Sequence, residues 1–273
     1  SEGQLLFDGK DITHANADAE RTAAQRHGPS PAEQGAISDE ATYLITGAFG
    51  GIGLQLCRWL ADQGATALLL LARSANQPPA QAQQLLAELA ARGVLCTTIA
   101  CDLAASGPGG VKADKRLAAA LAALPPDKPL RGVFHAAGVL DDGLIEAQTH
   151  ERLSKVWGPK VLGWQRLAAA LASHAAAAPA NQEPLVVHFS SMASLLGSPG
   201  QSNYCAANGA LDTLAIASPS QVAIQWGPWQ GDGMAAGLEA RDRQRLEALG
   251  VRSLAADKAL EALGVVLLSL IHI

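Results

Sequence analysis

Two tyrosines occur in the chain. Tyr43 falls inside the apolar run Tyr43 to Thr46, which reads as a buried strand, so Tyr204 is left as the candidate phenolic acid. It lies in Gln201-Ser202-Asn203-Tyr204-Cys205-Ala206-Ala207-Asn208, and thirteen residues earlier Ser191 closes the run Val186-Val187-His188-Phe189-Ser190-Ser191. Open α/β sheets bind ligands at the carboxyl ends of their strands, and from there both hydroxyls can meet one carbonyl oxygen. The matching chemistry is carbonyl reduction. Hydride delivery to a ketone carbon leaves negative charge on oxygen, which must be hydrogen-bonded and protonated as it develops. A phenol near its reference pKa of roughly 10 is a poor proton partner at neutral pH, and a nearby ammonium lowers that value.

A hydride needs a carrier, and the glycines point to one. The first strand runs into Thr46-Gly47-Ala48-Phe49-Gly50-Gly51-Ile52-Gly53, after which an apolar helical pattern begins with Leu54 and Leu56. Glycines let the backbone turn tightly and approach a pyrophosphate, whose charge backbone N–H groups and the positive end of the helix then hold. The second strand ends in Leu70-Leu71-Ala72-Arg73-Ser74, where an acidic residue would accept the ribose hydroxyls of NAD. Arg73 instead suits a 2′-phosphate, and Ser74 adds a hydroxyl donor, so NADPH is the expected cofactor. A surface arginine at a strand end is the plain alternative. Asp102, followed by Leu103, ends the third strand; its carboxylate either accepts from an adenine amino group or caps the next segment.

These residues require a scaffold, and the pattern supplies it. Short aliphatic runs at Tyr43 to Thr46, Ala67 to Arg73, Cys96 to Asp102, Gly132 to Ala137, Leu185 to Ser191 and Val222 to Trp226 alternate with helical patterns. The helices are expected at Ile52 to Gln63, Ala80 to Arg92, Ala113 to Leu124, His150 to Ser173 and Gln201 to Ala217, some ending at a glycine such as Gly64 or Gly93. This rhythm predicts an α/β fold, a Rossmann-type doubly wound parallel sheet with helices on both faces, as a single domain. Residues 1–40 are polar and broken by glycine and proline, and read as a linker or remnant of an upstream region. The nucleotide-binding domain is expected over 41–265, with 266–273 an atypical, truncated end.

Composition narrows the partners. Of 273 residues, 49% are apolar, enough for one sizeable core, and the 20 basic and 25 acidic side chains leave a net charge of -5. No basic run suits a phosphate backbone, so nucleic acid is not an expected partner. No apolar run reaches a membrane span and the start lacks the order of a signal peptide, so a cytoplasmic protein is expected. The four cysteines match no zinc or disulfide spacing.

Together the glycine turn in its Gly-x-x-x-Gly-x-Gly form, Ser191 and Tyr204 resemble the short-chain dehydrogenase/reductase superfamily. There a lysine normally follows the tyrosine by four; here that residue is Asn208, and no lysine lies between Lys160 and Lys258. The ketoreductase domains of modular polyketide synthases and animal-type fatty acid synthases exchange the two positions, and Val156-Trp157-Gly158-Pro159-Lys160-Val161-Leu162-Gly163 resembles their lysine helix. The resemblance implies Lys160 as the functional lysine, its competitor Lys155 facing elsewhere on the helix. It extends over about Thr42 to Met234: His135-Ala136-Ala137-Gly138 is similar to the segment lining the cofactor, and Trp226-Gly227-Pro228-Trp229 to the nicotinamide-side turn.

The same resemblance implies a role for each side chain. Tyr204 donates the proton, Ser191 holds the oxygen, Lys160 lowers the phenol's pKa and binds the nicotinamide ribose, and Asn208 anchors a water or backbone carbonyl in a proton relay. The implied substrate is a β-ketoacyl thioester on the phosphopantetheine arm of an acyl carrier protein, with neighbouring synthase domains as partners. Leu140-Asp141-Asp142 looks like the Leu-Asp-Asp motif of B-type ketoreductases, and Leu196 stands where A-type domains carry tryptophan, so a D-alcohol is expected. Capping a helix is the commoner role for paired aspartates. A free-standing short-chain dehydrogenase and a non-catalytic nucleotide-binding scaffold are the rival readings.

Overall fold

The computed structural model describes residues 37–177, 183–230 and 250–271. The linker expected over 1–40 falls almost wholly outside them, as does Met234. Six strands, β1 (Thr42–Thr46), β2 (Ala67–Ala72), β3 (Leu95–Ala100), β4 (Leu130–His135), β5 (Leu185–Ser191) and β6 (Gln221–Trp226), form one parallel sheet in the order β3-β2-β1-β4-β5-β6. Strand order reverses between β1 and β4, the switch point of a Rossmann-type fold.

Thr-Tyr-Leu-Ile-Thr in β1 and Ala-Leu-Leu-Leu-Leu-Ala in β2 are buried throughout, as strands covered on both faces must be. Successive side chains alternate between faces. Ile45 and Leu70 join a core with Leu56 and Leu60 of α1 (Gly51–Asp62) and Leu85 of α2 (Ala80–Ala91). Leu44, Leu69 and Leu71 join the opposite core with Leu117 of α3 (Gly107–Ala122) and Trp164 and Leu167 of α5 (Gly163–Ala177), which follows α4 (His150–Trp157). Between β5 and β6 lie the single turn α6 (Ala193–Leu196) and α7 (Ser202–Ile216), the latter where a helix is expected over Gln201 to Ala217.

Three elements depart from the sequence-based expectation. The helix expected from Ala113 begins at Gly107, because Pro108 in the first turn needs no intrahelical N–H partner. The single helix expected over His150 to Ser173 is instead α4, a π-helical turn (Gly158–Leu162) and then α5. Finally, α8 (Ala256–Ile271) runs across the domain boundary expected at residue 265, and Ala259, Leu260, Leu263 and Leu267 enter the core beside α1. An i, i+4, i+8 stripe of Ala259, Leu263 and Leu267 drives that docking. Among the described residues no helix is long and apolar enough to cross a membrane, and no group of His, Cys, Asp or Glu is arranged to hold a metal ion.

Leu263 is fully buried while Val265 is 65% exposed on the same helix. Leu263→Ala is expected to lower unfolding stability by about 2–5 kcal/mol in urea titration, and Val265→Ala by less than about 0.5. Equal effects of the two would reject the docking of α8.

Candidate active site

At the exit of β1 the chain turns through Gly47, where φ is +68° and an added Cβ would lie 2.9 Å from the Ala137 Cα, so glycine alone fits. The Gly50 N–H closes the turn on the Gly47 carbonyl at 2.9 Å, and a Cβ on Gly53 would come 2.3 Å from that same oxygen. Turn and helix are thus in backbone contact. No side chain caps α1, which leaves its first-turn N–H groups to a ligand. Such a cradle fits a pyrophosphate. Thr46 is fully buried, and its side chain serves the protein: its Oγ1 accepts from the Ala137 N–H at 3.1 Å and lies 2.9 Å from Nδ1 of His135.

Beyond β2, Arg73 and Ser74 are exposed. Asp102 is exposed as well, and its Oδ1 accepts the Ala104 N–H at 3.0 Å, a local turn. Leu103 is buried in the α3–α5 core, so its side chain is spent on packing. Against it sits the π-helical turn. A Cβ on Gly158 would lie 2.8 Å from that of Ala104, and one on Gly163 would lie 3.1 Å from that of Leu103. The two glycines therefore let the turn settle onto the loop after β3. Pro159 lacks the N–H of a regular helix, and the Gly163 N–H reaches five residues back to the Gly158 carbonyl.

That widened turn drives Lys160 inward. Its side chain is buried, its Nζ donates to the Phe189 carbonyl of β5 at 3.0 Å and lies 5.5 Å from the ring centroid of Tyr204. Lys155, by contrast, is on the surface in an ion pair with Asp141 at 3.0 Å. Burial lowers the Lys160 ammonium to about 8, against the opposing pull of Asp212.

His135 ties the two halves together. Its Nε2 meets the Lys160 carbonyl at 2.8 Å, and a carbonyl only accepts, so Nε2 carries the proton and Nδ1 accepts from the Thr46 hydroxyl. Burial holds the ring neutral, lowering its pKa to about 3. Both nitrogens are taken, so no ring nitrogen is left for the cofactor contact expected of His135; the neighbouring backbone at Ala136 and Ala137 lines Gly47.

On the other side α7 carries two stripes. Asn203, Ala207, Leu211 and Ala215 form one buried stripe, and Tyr204, Asn208 and Asp212, of which Asn208 is also buried, form the next. The Ser191 side chain interacts with the Tyr204 phenol. Burial raises the phenol above its ordinary value, and the neighbouring Ser191 and Asn208 side chains oppose that. The lowering expected from Lys160 therefore does not govern the free site: the phenol keeps its proton at neutral pH, as an acid must. Asn208 is fully buried; its Nδ2 donates to the Tyr204 carbonyl at 2.8 Å, while its Oδ1 has no partner among the described residues.

The Leu140-Asp141-Asp142 loop borders this site, and its aspartates cap no helix, since Thr149 caps α4. Asp141 pairs with Arg152 at 3.1 Å as well as with Lys155. Its carbonyl accepts from Asn203, and the Asp142 carboxylate accepts from Gln201 at 2.9 Å. The loop is thereby bolted to the start of the Tyr204 helix. Sequence reasoning overlooked Asn203 and Gln201; the signal was an amide at the head of an otherwise apolar stripe. Trp226 and Trp229 meet edge-on at 5.3 Å and pack against Phe189, a structural role.

A parallel switch-point sheet with a glycine-turn cradle and a Tyr–Ser–Lys cluster at its carboxyl edge defines a reductase of the short-chain dehydrogenase type. A family model described as the KR domain matches residues 41–231, and the chain belongs to that family, the ketoreductase domains of polyketide synthases. It is 40% identical over 226 residues to the polyketide synthase GfsB of Streptomyces halstedii, covering 80% of this chain and 4% of that protein. It is 38% identical over 234 residues to the phenolphthiocerol synthesis polyketide synthase type I Pks15/1 of Mycobacterium marinum, covering 84% of this chain and 10% of that protein. The chain thus spans a small part of the curated relatives it matches. A solved structure titled as A-type ketoreductases from a modular polyketide synthase superposes with a TM-score of 0.72 at 35% identity, over 87% of this chain and 47% of that one. A C2-type ketoreductase from a modular polyketide synthase gives 0.69 at 30%, over 85% and 47%.

The neutral imidazole of His135 makes stability fall with acid. An unfolded imidazole takes its proton near pH 6.5, whereas the folded ring stays neutral down to about 3. Between those values the unfolded state binds the extra proton, so stability drops as pH falls through the window. His188, also lowered by burial, acts in the same direction. His135→Gln is expected to flatten the loss of urea midpoint between about pH 7 and pH 5; a variant as steep as the parent would contradict this.

Proposed function

We propose that this chain reduces a β-ketoacyl thioester, carried on the phosphopantetheine arm of an acyl carrier protein, to the β-hydroxyacyl form with NADPH. The reading rests above all on one observation: a lysine delivered from the upstream helix lies against the face of Tyr204 while Asn208 occupies the position four residues after the tyrosine. Neighbouring synthase domains are its partners, and the cytoplasm its compartment.

The substrate oxygen is held between the Ser191 hydroxyl and the Tyr204 phenol, whose side chains interact with one another. When bound, the nicotinamide supplies the hydride. Charge then develops on the oxygen, and Tyr204, protonated at neutral pH, donates to it. Lys160 stabilises the phenolate that remains, from a site where water is excluded and its charge is weakly screened. Its ammonium also donates to the Phe189 carbonyl of β5, and the Asn208 amide holds the Tyr204 backbone. The cradle of Gly47, Phe49, Gly50, Gly51, Ile52 and Gly53 takes the pyrophosphate, and Arg73 with Ser74 takes the 2′-phosphate. The loop Leu140-Asp141-Asp142, bolted to α7, orients the acyl chain for the B-type outcome, a D-alcohol.

Loss of the reduced nicotinamide's absorbance is expected with a β-ketoacyl N-acetylcysteamine thioester or trans-1-decalone, and chiral separation of the product alcohol should show the D-configuration. Tyr204→Phe should lower kcat by about 10²-fold or more with NADPH binding retained. Lys155→Ala should leave turnover within about twofold, whereas Lys160→Ala should not. Arg73→Ala should weaken NADPH and leave NADH unaffected. No turnover by folded, NADPH-binding protein would reject the activity.

A further inference from the structure

Arg166 stands one turn after Gly163 on α5 and takes no part in the chemistry derived above. Its side chain is only 16% exposed, and all three guanidinium nitrogens are committed. Nε donates to the Asp114 carboxylate of α3, Nη1 to the Leu103 carbonyl and Nη2 to the Ala105 carbonyl at 2.8 Å. A planar fork of fixed geometry spans two carbonyls two residues apart, which the point charge of a lysine does not.

Those carbonyls belong to the turn by which the chain leaves β3. Within it Asp102 accepts the Ala104 N–H on Oδ1 at 3.0 Å and the Ala105 N–H on its own carbonyl at 3.2 Å. Asp102 therefore closes the turn from within, and Arg166 braces it from outside. Gly110 of α3 makes the room: a Cβ there would lie 2.7 Å from Nη2 of Arg166 and 3.0 Å from the Ala105 oxygen. The π-helical turn supplies a second grip, where Gly158 and Gly163 settle against the Cβ atoms of Ala104 and Leu103. That grip needs no guanidinium.

We propose that Arg166 is a positioning residue of the nucleotide site: by bridging the Leu103 and Ala105 carbonyls it holds the Asp102 turn in the shape that presents the carboxylate to the adenine amino group of the cofactor. For that consequence the proposal rests on the NADPH reading, but its central claim concerns the turn alone. Gly158 and Gly163 hold the Lys160 side of the loop independently, so loss of the fork acts on cofactor affinity and leaves the reacting end in place. A cation could also attract the cofactor's phosphates from a distance, an effect of charge and not of shape. Arg166→Lys separates the two, since it keeps the charge and removes the fork.

The turn is read first, without nucleotide. In R166A and R166K the Ala104 and Ala105 amides are expected to exchange with deuterium roughly tenfold faster than in the parent. Affinity for adenosine 2′,5′-bisphosphate, measured by calorimetry, should then fall roughly tenfold in R166A, R166K and G110A, the worth of one hydrogen bond to a charged group. Alanine is the better helix former, so G110A displaces the guanidinium without weakening α3. In turnover the same variants should raise the KM for NADPH with kcat kept within about threefold. In a D102A background R166A should add nothing, since it acts through that carboxylate. Unchanged Ala104 and Ala105 exchange in folded R166A overturns the proposal, as does parent-like affinity in R166K or an R166A loss that adds in full to that of D102A. If R166A loses its native circular dichroism, R166K and G110A decide by the same two measurements. A parent that binds no bisphosphate, with exchange still quickened in R166A, rejects the NADPH reading and leaves the turn's dependence on Arg166 standing.

Discussion

Removing an ammonium from water costs several kcal/mol unless acceptors and opposite charge replace the solvent it loses. Lys160 is 2% exposed, and the surrounding structure answers that requirement. The Phe189 carbonyl at the end of β5 takes one N–H, and the ring face of Tyr204 lies over the charge. Neither of these acceptors would be within reach from a regular helix laid over the sheet edge at ordinary spacing. The π-helical turn, with Gly158 and Gly163 in contact with Leu103 and Ala104, brings the lysine backbone close enough. Sites of function are where such turns recur.

The same turn joins the lysine to the nucleotide cradle. His135 accepts from Thr46 and donates to the Lys160 carbonyl, while Thr46 accepts from Ala137, the residue packed on Gly47. The glycine turn is thereby joined through three buried hydrogen bonds to the backbone carbonyl of Lys160. Because burial keeps the imidazole neutral, it serves as donor and acceptor at once, and a charged ring would have to reverse the Thr46 bond. His135 holds geometry rather than moving protons.

Much of this was legible in the sequence, and the parts that were not share a cause. Strands β1 and β2 announced themselves as unbroken aliphatic runs, and the glycines at Gly47, Gly50 and Gly53 fixed the turn after β1, because both signals are local. Tyr204, Ser191 and Lys160 were legible as types at telling positions. The π-helical turn was not: Gly158, Pro159 and Gly163 interrupt an otherwise helical pattern, and periodicity alone cannot separate a break from one extra residue. Helix α8 was missed because its stripe of Ala259, Leu263 and Leu267 acquires meaning only once α1 offers it a face. The expected pull of Lys160 on the Tyr204 phenol likewise ignored burial, which raises the phenol instead. Desolvation depends on elements far apart in the chain.

The raised phenol and the lowered lysine make sense together. Before reaction Tyr204 must hold its proton, and burial secures that. In the proposed reaction the phenolate left after donation is the anion that the buried ammonium lacks, and each offsets part of the other's burial cost. The pair is thus weakest in the resting site and strongest once charge has developed. An interaction that grows in that direction lowers a barrier without tightening the ground state. Delivering the lysine from a different helix than the tyrosine serves this, since the two groups meet across a packed interface rather than along one helical turn. Asn208, at the position one turn beyond Tyr204, then contributes a neutral amide that fastens the tyrosine's own backbone.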